Sequence, residues 1–396
     1  MRFFRDLSLS ATAAGFVAVL VGFTSSVAIV FQAAQSFGAT QAQISSWMWA
    51  LGLGMGLCTA LPALWLRQPV MVAWSTPGAA VLATAGAAGG FSMGEAVGAF
   101  MLSAALIVVF GATGWFERLM NRIPLGIASA LLAGVLTRFG LDAFGAARTD
   151  LPLVLAMLAT YLLARRWLPR YAVVLTLLAG IAWAAAAGRM HWAATQLDLA
   201  RPVFTAPQFT LQAAISLALP LFVVTMASQN LPGVAAIRAA GYPMPVSRLV
   251  SLSGAATLLL APFGAFALNL SAITAAICMG REAHEDPARR YTAAVVCGLL
   301  YVLIGIFGAT VTGLLAAFPR ELVLAIAGMA LLSTIAGALA AALQTEAQRE
   351  AALLTFLVTL SGITLASVGS AFWGLVAGAL ALGVQALGRR GRARAS

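Results

Sequence analysis

The chain has no lysine, two histidines and three cysteines among 396 residues, and charged side chains make up only 9% of it. A soluble domain carries about 25% charged residues, so this composition cannot cover a water-facing surface. Cys58, Cys278 and Cys297 lie in apolar surroundings without metal-ligand spacing. They imply no disulfide framework and read as small packing residues.

Acidic groups are equally sparse: Asp6, Glu95, Glu117, Asp142, Asp150, Asp198, Glu282, Glu285, Asp286, Glu321, Glu346 and Glu350 complete the set. None falls at the centre of an apolar stretch, and neither does His191 or His284. Proton-coupled carriers often place a titratable group at bilayer depth, and no such relay is visible. Glu95, Asp142 and Asp150, near helix ends, are the remaining acidic candidates. An intramembrane enzyme would need a convergent nucleophile, base or metal ligands at depth, so no enzyme, metal or cofactor is expected.

What is present is apolar. Hydrophobic residues reach 62% and mean hydropathy is +0.96. A hydrocarbon layer about 30 Å thick takes roughly 20 apolar residues per helix. On that measure spans are expected at 10–32, 44–65, 69–90, 94–115, 123–140, 150–166, 171–188, 211–236, 245–261, 262–280, 291–315, 322–342, 351–367 and 371–388, fourteen in all. Arg2 and Arg5 precede an apolar stretch from Ala11 to Phe31, which exceeds the about 7–15 residues of a signal-peptide core. A retained first helix with a cytoplasmic N-terminus is the expectation.

The net charge of +11 would suggest nucleic acid in a soluble protein. Here the arginines sit mostly in short connections. With the N-terminus inside, 18 arginines fall on the cytoplasmic side and 5 outside, namely Arg138, Arg148, Arg189, Arg201 and Arg320. That is the positive-inside asymmetry, and nucleic-acid binding is excluded on this account.

Seven expected spans precede the polar connection at 189–209 and seven follow it. An odd number per half inverts the second half across the membrane, an arrangement common in secondary transporters, where substrate is held near the midplane between repeats. Helix-breaking residues fall at matching places. The third span carries Trp74-Ser75-Thr76-Pro77-Gly78-Ala79-Ala80, and the tenth carries Pro262, Gly264, Asn269, Leu270 and Ser271. A proline kink is the competing reading of the first motif alone; the matching break in span 10 favours two discontinuous segments. Ser75 or Thr76 can cap a helix opened by Pro77, leaving the amides of Gly78, Ala79 and Ala80 toward an anion.

Asn269 and Ser271 play the corresponding part in span 10. Mid-span polar clusters in the first helix of each half, Thr24-Ser25-Ser26 and Thr225 with Ser228-Gln229-Asn230, read either as interhelical hydrogen bonding or as site residues. For Gln229 and Asn230 the site reading is favoured, because two adjacent amides in apolar surroundings are costly unless satisfied. The charged run 281–291 has neither paired histidines nor metal-ligand spacing and reads as a solvated cytoplasmic turn. Gly52, Gly54 and Gly56 lie within a span and serve close helix packing.

The stretch Pro69-Val70-Met71-Val72-Ala73-Trp74-Ser75-Thr76-Pro77-Gly78-Ala79-Ala80 resembles the signature of the bacterial benzoate/proton symporter family of BenE type. Three further stretches agree with it: Gly22–Ser26, Ser216–Asn230 and Glu282–Tyr291. The resemblance implies an all-α membrane fold like that of the nucleobase and sulfate transporter group. In that fold fourteen segments form two inverted sevens, with segments 3 and 10 each a short strand plus a half-helix.

It further implies a core domain in two parts (1–122 and 210–318), a gate domain in two parts (123–188 and 319–388), an outer connection (189–209) and a basic tail (389–396). Benzoate or a related aromatic carboxylate would enter across a bacterial inner membrane with a proton, which the substrate's own carboxyl group could carry. A nucleobase or inorganic-anion carrier is the alternative on the same fold, and a homodimer is compatible with it. The binding residues so implied are Thr24, Ser25, Trp74, Ser75, Thr76, Gly78, Ala79, Gln229, Asn230, Phe266, Asn269, Leu270 and Ser271, with Phe23, Trp74 and Phe266 against the ring. The nucleobase carriers of this fold use a Glu in segment 8, where this chain has Gln229.

Overall fold

A chain that must satisfy its backbone hydrogen bonds without water is confined to helices and paired strands. The computed structural model follows that rule; it describes the chain except residues 1, 25, 88, 121, 122, 191–198, 317, 364, 366–369 and 396. In order the elements are α1 (Arg2–Asp6), α2 (Leu9–Thr24), α3 (Val27–Ser36), α4 (Gln41–Leu66), β1 (Val72–Trp74), α5 (Thr76–Ala87), α6 (Met93–Ala112), α7 (Trp115–Met120), α8 (Leu125–Gly145), α9 (Leu151–Trp167) and α10 (Ala172–Ala186). Then come α11 (Leu211–Ala213), α12 (Leu219–Thr225), α13 (Leu231–Ala239), α14 (Val246–Leu260), β2 (Leu268–Leu270), α15 (Ile273–Met279), α16 (Tyr291–Ala316), α17 (Arg320–Leu343), α18 (Arg349–Ser361) and α19 (Ser370–Ala395).

Among the described residues, seven helices are long and apolar enough to cross a membrane: Gln41–Leu66, Met93–Ala112, Leu125–Arg148, Leu211–Ala239, Val246–Phe263, Pro287–Gly308 and Arg320–Leu343. Helix starts have identifiable causes. Thr40 and Gln43 form a capping box ahead of α4, and Ser92 and Glu95 form another ahead of α6, each tying up two amides that the first turn leaves open. The span Leu211–Ala239 comprises α11 to α13 joined by π-helical turns at Ala214–Ala218 and Met226–Asn230. Each wide turn stands just before a proline-bearing helix start, with Pro220 and Pro232. A proline inside a helix loses a bond and crowds the carbonyl four residues back; a widened turn relieves that crowding.

Two sets of helices pack among themselves. In one, α4 lies along α16, α6 along α14, and α2 along α15 and α16; in the other, α17 lies along α8, α9 along α10, and α18 along α8 and α19. Contacts of α13 with α8, α15 with α17, and α2 with α10 and α17 join the sets. The α4–α16 contact is built from glycine. A Cβ on Gly52 would stand 2.6 Å from the Gly305 backbone, and one on Gly56 would stand 2.6 Å from the Gly298 carbonyl oxygen. Close backbone approach is how membrane helices gain packing where lipid is as apolar as leucine.

Two expectations change. The first span is broken: α2 stops at Thr24, and Ser26 stands before α3 with its hydroxyl donating to the Gly22 carbonyl. The run 281–291 is solvated only in part: Arg281 and residues 285–289 are exposed. His284 and Arg290 are buried there, and Arg290 donates to the carbonyls of Met279, His284 and Glu285. The α15 helix has seven residues, and its last carbonyls lack intrahelical partners; a fixed guanidinium supplies donors to one of them. The third and tenth segments do each begin as a strand, as the resemblance implies, and the two strands pair.

Candidate functional site

β1 and β2 are antiparallel, with Val72 opposite Leu270, Ala73 opposite Asn269 and Trp74 opposite Leu268. The ribbon continues one residue each way, since the Ser75 amide donates to Ala267 O and the Ser271 amide to Met71 O, both at 3.0 Å. Segments about 200 residues apart in the chain are thus joined backbone to backbone inside the bundle. Each strand then turns into a helix, α5 or α15.

Ser75 is fully buried and caps α5, its hydroxyl accepting from the Gly78 amide at 3.0 Å. The Ala79 amide donates to Ser75 O at 2.8 Å. The amides of Gly78 and Ala79, expected to face an anion, are therefore already bonded within the protein. Leu270 N–H is taken by the Asn230 side-chain oxygen at 2.9 Å, while Asn230 Nδ2 donates to Met226 S at 3.3 Å. Asn230 thus holds the strand. Asn269 is fully buried beside it; its Nδ2 donates to Ala267 O at 3.0 Å, and its Oδ1 has no partner among the described residues. Ala267 adopts φ +40°, a strained backbone for a residue with a Cβ, immediately before the ribbon.

A cavity of about 860 Å³ opens onto the ribbon. On one side it is lined by Gly22, Ser26, Ala73, Trp74, Thr76, Pro77, Gln229, Ser271, Ile273 and Thr274. On the other stand Arg138, Phe139 and Asp142 of α8, Phe318, and Arg320, Val323 and Leu324 of α17. Of the expected site residues, Trp74, Thr76, Gln229 and Ser271 reach the cavity. Ser75, Gly78, Ala79, Asn230, Asn269 and Leu270 form the scaffold behind it. Phe266 is fully buried against Trp47 and Phe100, with ring centroids 5.8 and 6.0 Å away, and it packs the interior rather than lining the cavity. Ser25 and the Thr24 side chain lie outside the described residues.

Trp74 is positioned twice over. Its ring meets Phe23 at 5.4 Å, and its indole N–H donates to Ser26 Oγ at 2.9 Å. Ser26→Ala leaves that buried N–H unmet, at a cost of about 1–3 kcal/mol. A lower melting temperature and a shifted tryptophan emission are the expected results. The sequence reading missed Arg138, Arg320 and Thr274, and named Asp142 only as an acidic candidate for the proton. The arginines had been assigned to outer connections; Arg138 and Asp142 stand four residues apart, and that i,i+4 spacing on one helix face was the available signal. Ser271 accepts from the Thr274 hydroxyl at 2.8 Å, so two hydroxyls face the cavity as one group. No cluster of metal-ligating side chains occurs among the described residues.

A bundle of membrane-capable helices around a cavity that ends on two half-helices is an architecture suited to a membrane transporter. The chain belongs to the benzoate membrane transport protein family, BenE, whose sequence pattern it matches over residues 5–384. It is 49% identical over 365 residues to "Inner membrane protein YdcO" of Escherichia coli (strain K12), covering 92% of this chain and 93% of that one. It is 40% identical over 374 residues to the "Benzoate membrane transport protein" of Acinetobacter baylyi, covering 94% of each. Among solved structures, the transmembrane domain of a cyanobacterium bicarbonate transporter, BicA, superposes with TM-score 0.49 at 12% identity, over 95% of this chain and 98% of that one.

Proposed function

We propose that this protein carries benzoate or a closely related aromatic monocarboxylate across a bacterial inner membrane, together with a proton, by alternating access. The observation that carries the reading is the cavity. It ends on Trp74 and the Thr76, Ser271 and Thr274 hydroxyls, with Gln229 beside them and Arg138 and Arg320 in its wall. An aromatic face beside neutral donors, with the cations Arg138 and Arg320 outnumbering the one carboxylate, Asp142, suits a flat ring bearing one negative charge. Because the first amides of α5 are already bonded, the carboxylate is met by side chains: Thr76, Ser271, Thr274 and Gln229 at the ribbon, and the two guanidinium groups on the approach. Arginine matches a carboxylate in geometry as well as charge. The name of the Acinetobacter relative supports benzoate as the substrate.

The packing supports alternating access. A core domain of α2–α6 and α11–α16 would move against a gate domain of α8–α10 and α17–α19. Helix pairing supports an inverted repeat of seven segments: α4 with α16 mirrors α14 with α6, and α9 with α10 mirrors α18 with α19. The cavity described above adjoins Ile273 and Thr274 at the start of α15 and Val323 and Leu324 at the start of α17. A second cavity of about 330 Å³ adjoins Met279 and Ser333, farther along the same two helices. Substrate would pass between them along the α15–α17 contact. The arginine asymmetry supports cytoplasmic termini, and the Escherichia coli relative's name supports the inner membrane.

Tryptophan fluorescence of the purified protein tests the site. Benzoate is expected to quench Trp74, and neither uracil nor sulfate is expected to displace it. Thr76→Val and Gln229→Leu each remove one bond to a charged group, about 1.5–3 kcal/mol, so each weakens binding about tenfold or more. Unchanged affinity in both variants would place the carboxylate elsewhere, and displacement by uracil or sulfate would favour the other substrate classes of this fold.

A further inference from the structure

We infer that Asp142 limits the cargo to a single negative charge: it is the repulsive group of an otherwise cationic site, and it excludes dicarboxylates that the cavity has room to hold. This role rests on the carboxylate reading above. The cavity of about 860 Å³ presents three charged side chains, Arg138 and Asp142 of α8 and Arg320 at the start of α17. Glu321, the next residue, does not line it. Small-molecule sites range over roughly 300–1,000 Å³, and this cavity falls near the upper end. A second carboxyl group on a benzene ring is therefore not excluded by size. Charge has to make that choice.

Asp142 is available because nothing neutralises it. Opposite charges four residues apart on a helix are neighbours and ordinarily attract. Arg138 and Asp142 nevertheless form no ion pair among the described residues, and neither does Arg320, whereas Asp150, Glu282 and Asp286 are each paired with an arginine. The reason lies on α18, which packs along α8 and ends at Gly362 with φ +70°. A Cβ on Gly362 would overlap Arg138 Nη1 and stand 3.0 Å from Cζ and 3.4 Å from Nη2. The guanidinium thus fills the space a side chain would take, at a helix end whose carbonyls favour a cation. Arg138 is held on α18, and Asp142 is left to the cavity.

Two cations and one carboxylate leave a lining charge of +1. A monocarboxylate neutralises it. A dicarboxylate overshoots it and loses more on leaving water, because the desolvation cost of an ion rises with the square of its charge. Both cargoes feel Asp142, but the repulsion is twice as large for the dianion. The carboxylate therefore weakens binding of every anion and discriminates against the more highly charged one, which is specificity obtained by repulsion. All three side chains are exposed, so the effect is moderate and sensitive to salt. At about 8 Å and an effective dielectric constant between about 20 and 80, one charge changes an affinity about twofold to thirtyfold.

The test compares benzene-1,4-dicarboxylate with 4-carbamoylbenzoate, which has the same outline and one charge fewer, as competitors of benzoate binding in about 10–20 mM salt. The parent protein is expected to prefer the carbamoyl acid about tenfold, and Asp142→Asn to reduce that preference at least about threefold. In about 1 M salt, where the Debye length is about 3 Å, the parent's preference should shrink as well. Equal binding of the two acids by the parent, a preference that Asp142→Asn leaves unchanged, or exclusion of both acids while benzoate binds overturns the assignment. A second measurement needs no substrate. Leu324→Cys places a thiol in the cavity wall, and the native cysteines are buried. Its rate of modification by an anionic methanethiosulfonate, relative to a neutral one, reads the charge there. Asp142→Asn is expected to raise that ratio at least about threefold, and an unchanged ratio overturns the assignment. Failure of benzoate to bind while the ratio rises sinks the substrate reading alone.

Discussion

Gly298→Leu is expected to yield almost no folded protein in the membrane. Gly298 lies on α16 where that helix touches α4, and a Cβ added there would stand 2.8 Å from Ala60 N, Ala60 Cβ and Gly56 O. Two of those atoms are backbone, so no rotamer change relieves the overlap. On either side a Cβ on Gly52 would stand 2.6 Å from the Gly305 backbone and one on Gly56 would stand 2.5 Å from a Val302 methyl group, so the helices cannot slide to a neighbouring register. They would have to separate. Overpacking typically costs 1–3 kcal/mol when side chains can yield; with backbone as the obstacle about 3 kcal/mol or more is expected. Loss of the monodisperse peak of a fluorescent fusion in mild detergent checks the result. Gly383→Ala is the control, because nothing lies within 4 Å of a Cβ there. It should leave the melting temperature unchanged or raise it, as replacing a mid-helix glycine removes about 0.5–1 kcal/mol of entropic cost.

Asn230→Leu is expected to abolish transport while leaving helix content intact. The side chain is fully buried and its oxygen is the partner of the Leu270 amide. Leucine nearly preserves volume and deletes that acceptor, leaving a buried N–H unmet at about 1–3 kcal/mol. The loss falls on a three-residue strand that carries the start of α15, so Ser271 and Thr274 lose their placement toward the cavity. The neighbouring turn offers no substitute, because a Cβ on Gly233 would already stand 2.6 Å from Leu270 O. Amide hydrogen exchange at Leu270 should accelerate and substrate-dependent tryptophan quenching should fall at least about tenfold, with circular dichroism unchanged. Unchanged exchange at Leu270 would show that another group holds the strand.

Much of this was legible in the residues. Low charge and long apolar runs dictate a membrane protein, since no other solvent accepts such a surface. The chain breaks at Trp74–Ala80 and Ala267–Ser271 were visible because proline, serine and asparagine cannot extend an apolar helix without compensation. The glycines of α4 read directly as sites of close approach. The candidate residues were harder to sort. Ser75, Asn230 and Asn269 were identified as polar groups at depth, which is correct as chemistry. However, a buried amide serves a ligand or its own backbone equally well, and nothing local distinguishes the two. Asn230 faces β2, 40 residues along the chain.

The sequence by itself determined the solvent, the places where helices must break and the small residues on which they touch, because each is a local property of side-chain transfer energy or backbone freedom. Only the tertiary structure decided what those breaks meet. Pairing of β1 with β2, the hold of Ser26 on Trp74, the placement of Arg138 and Arg320 in the cavity wall, and the Arg165–Glu282 contact across 117 residues each depend on packing between distant segments. A pattern read along one helix records which face is apolar. It does not record which charged group another helix brings to that face.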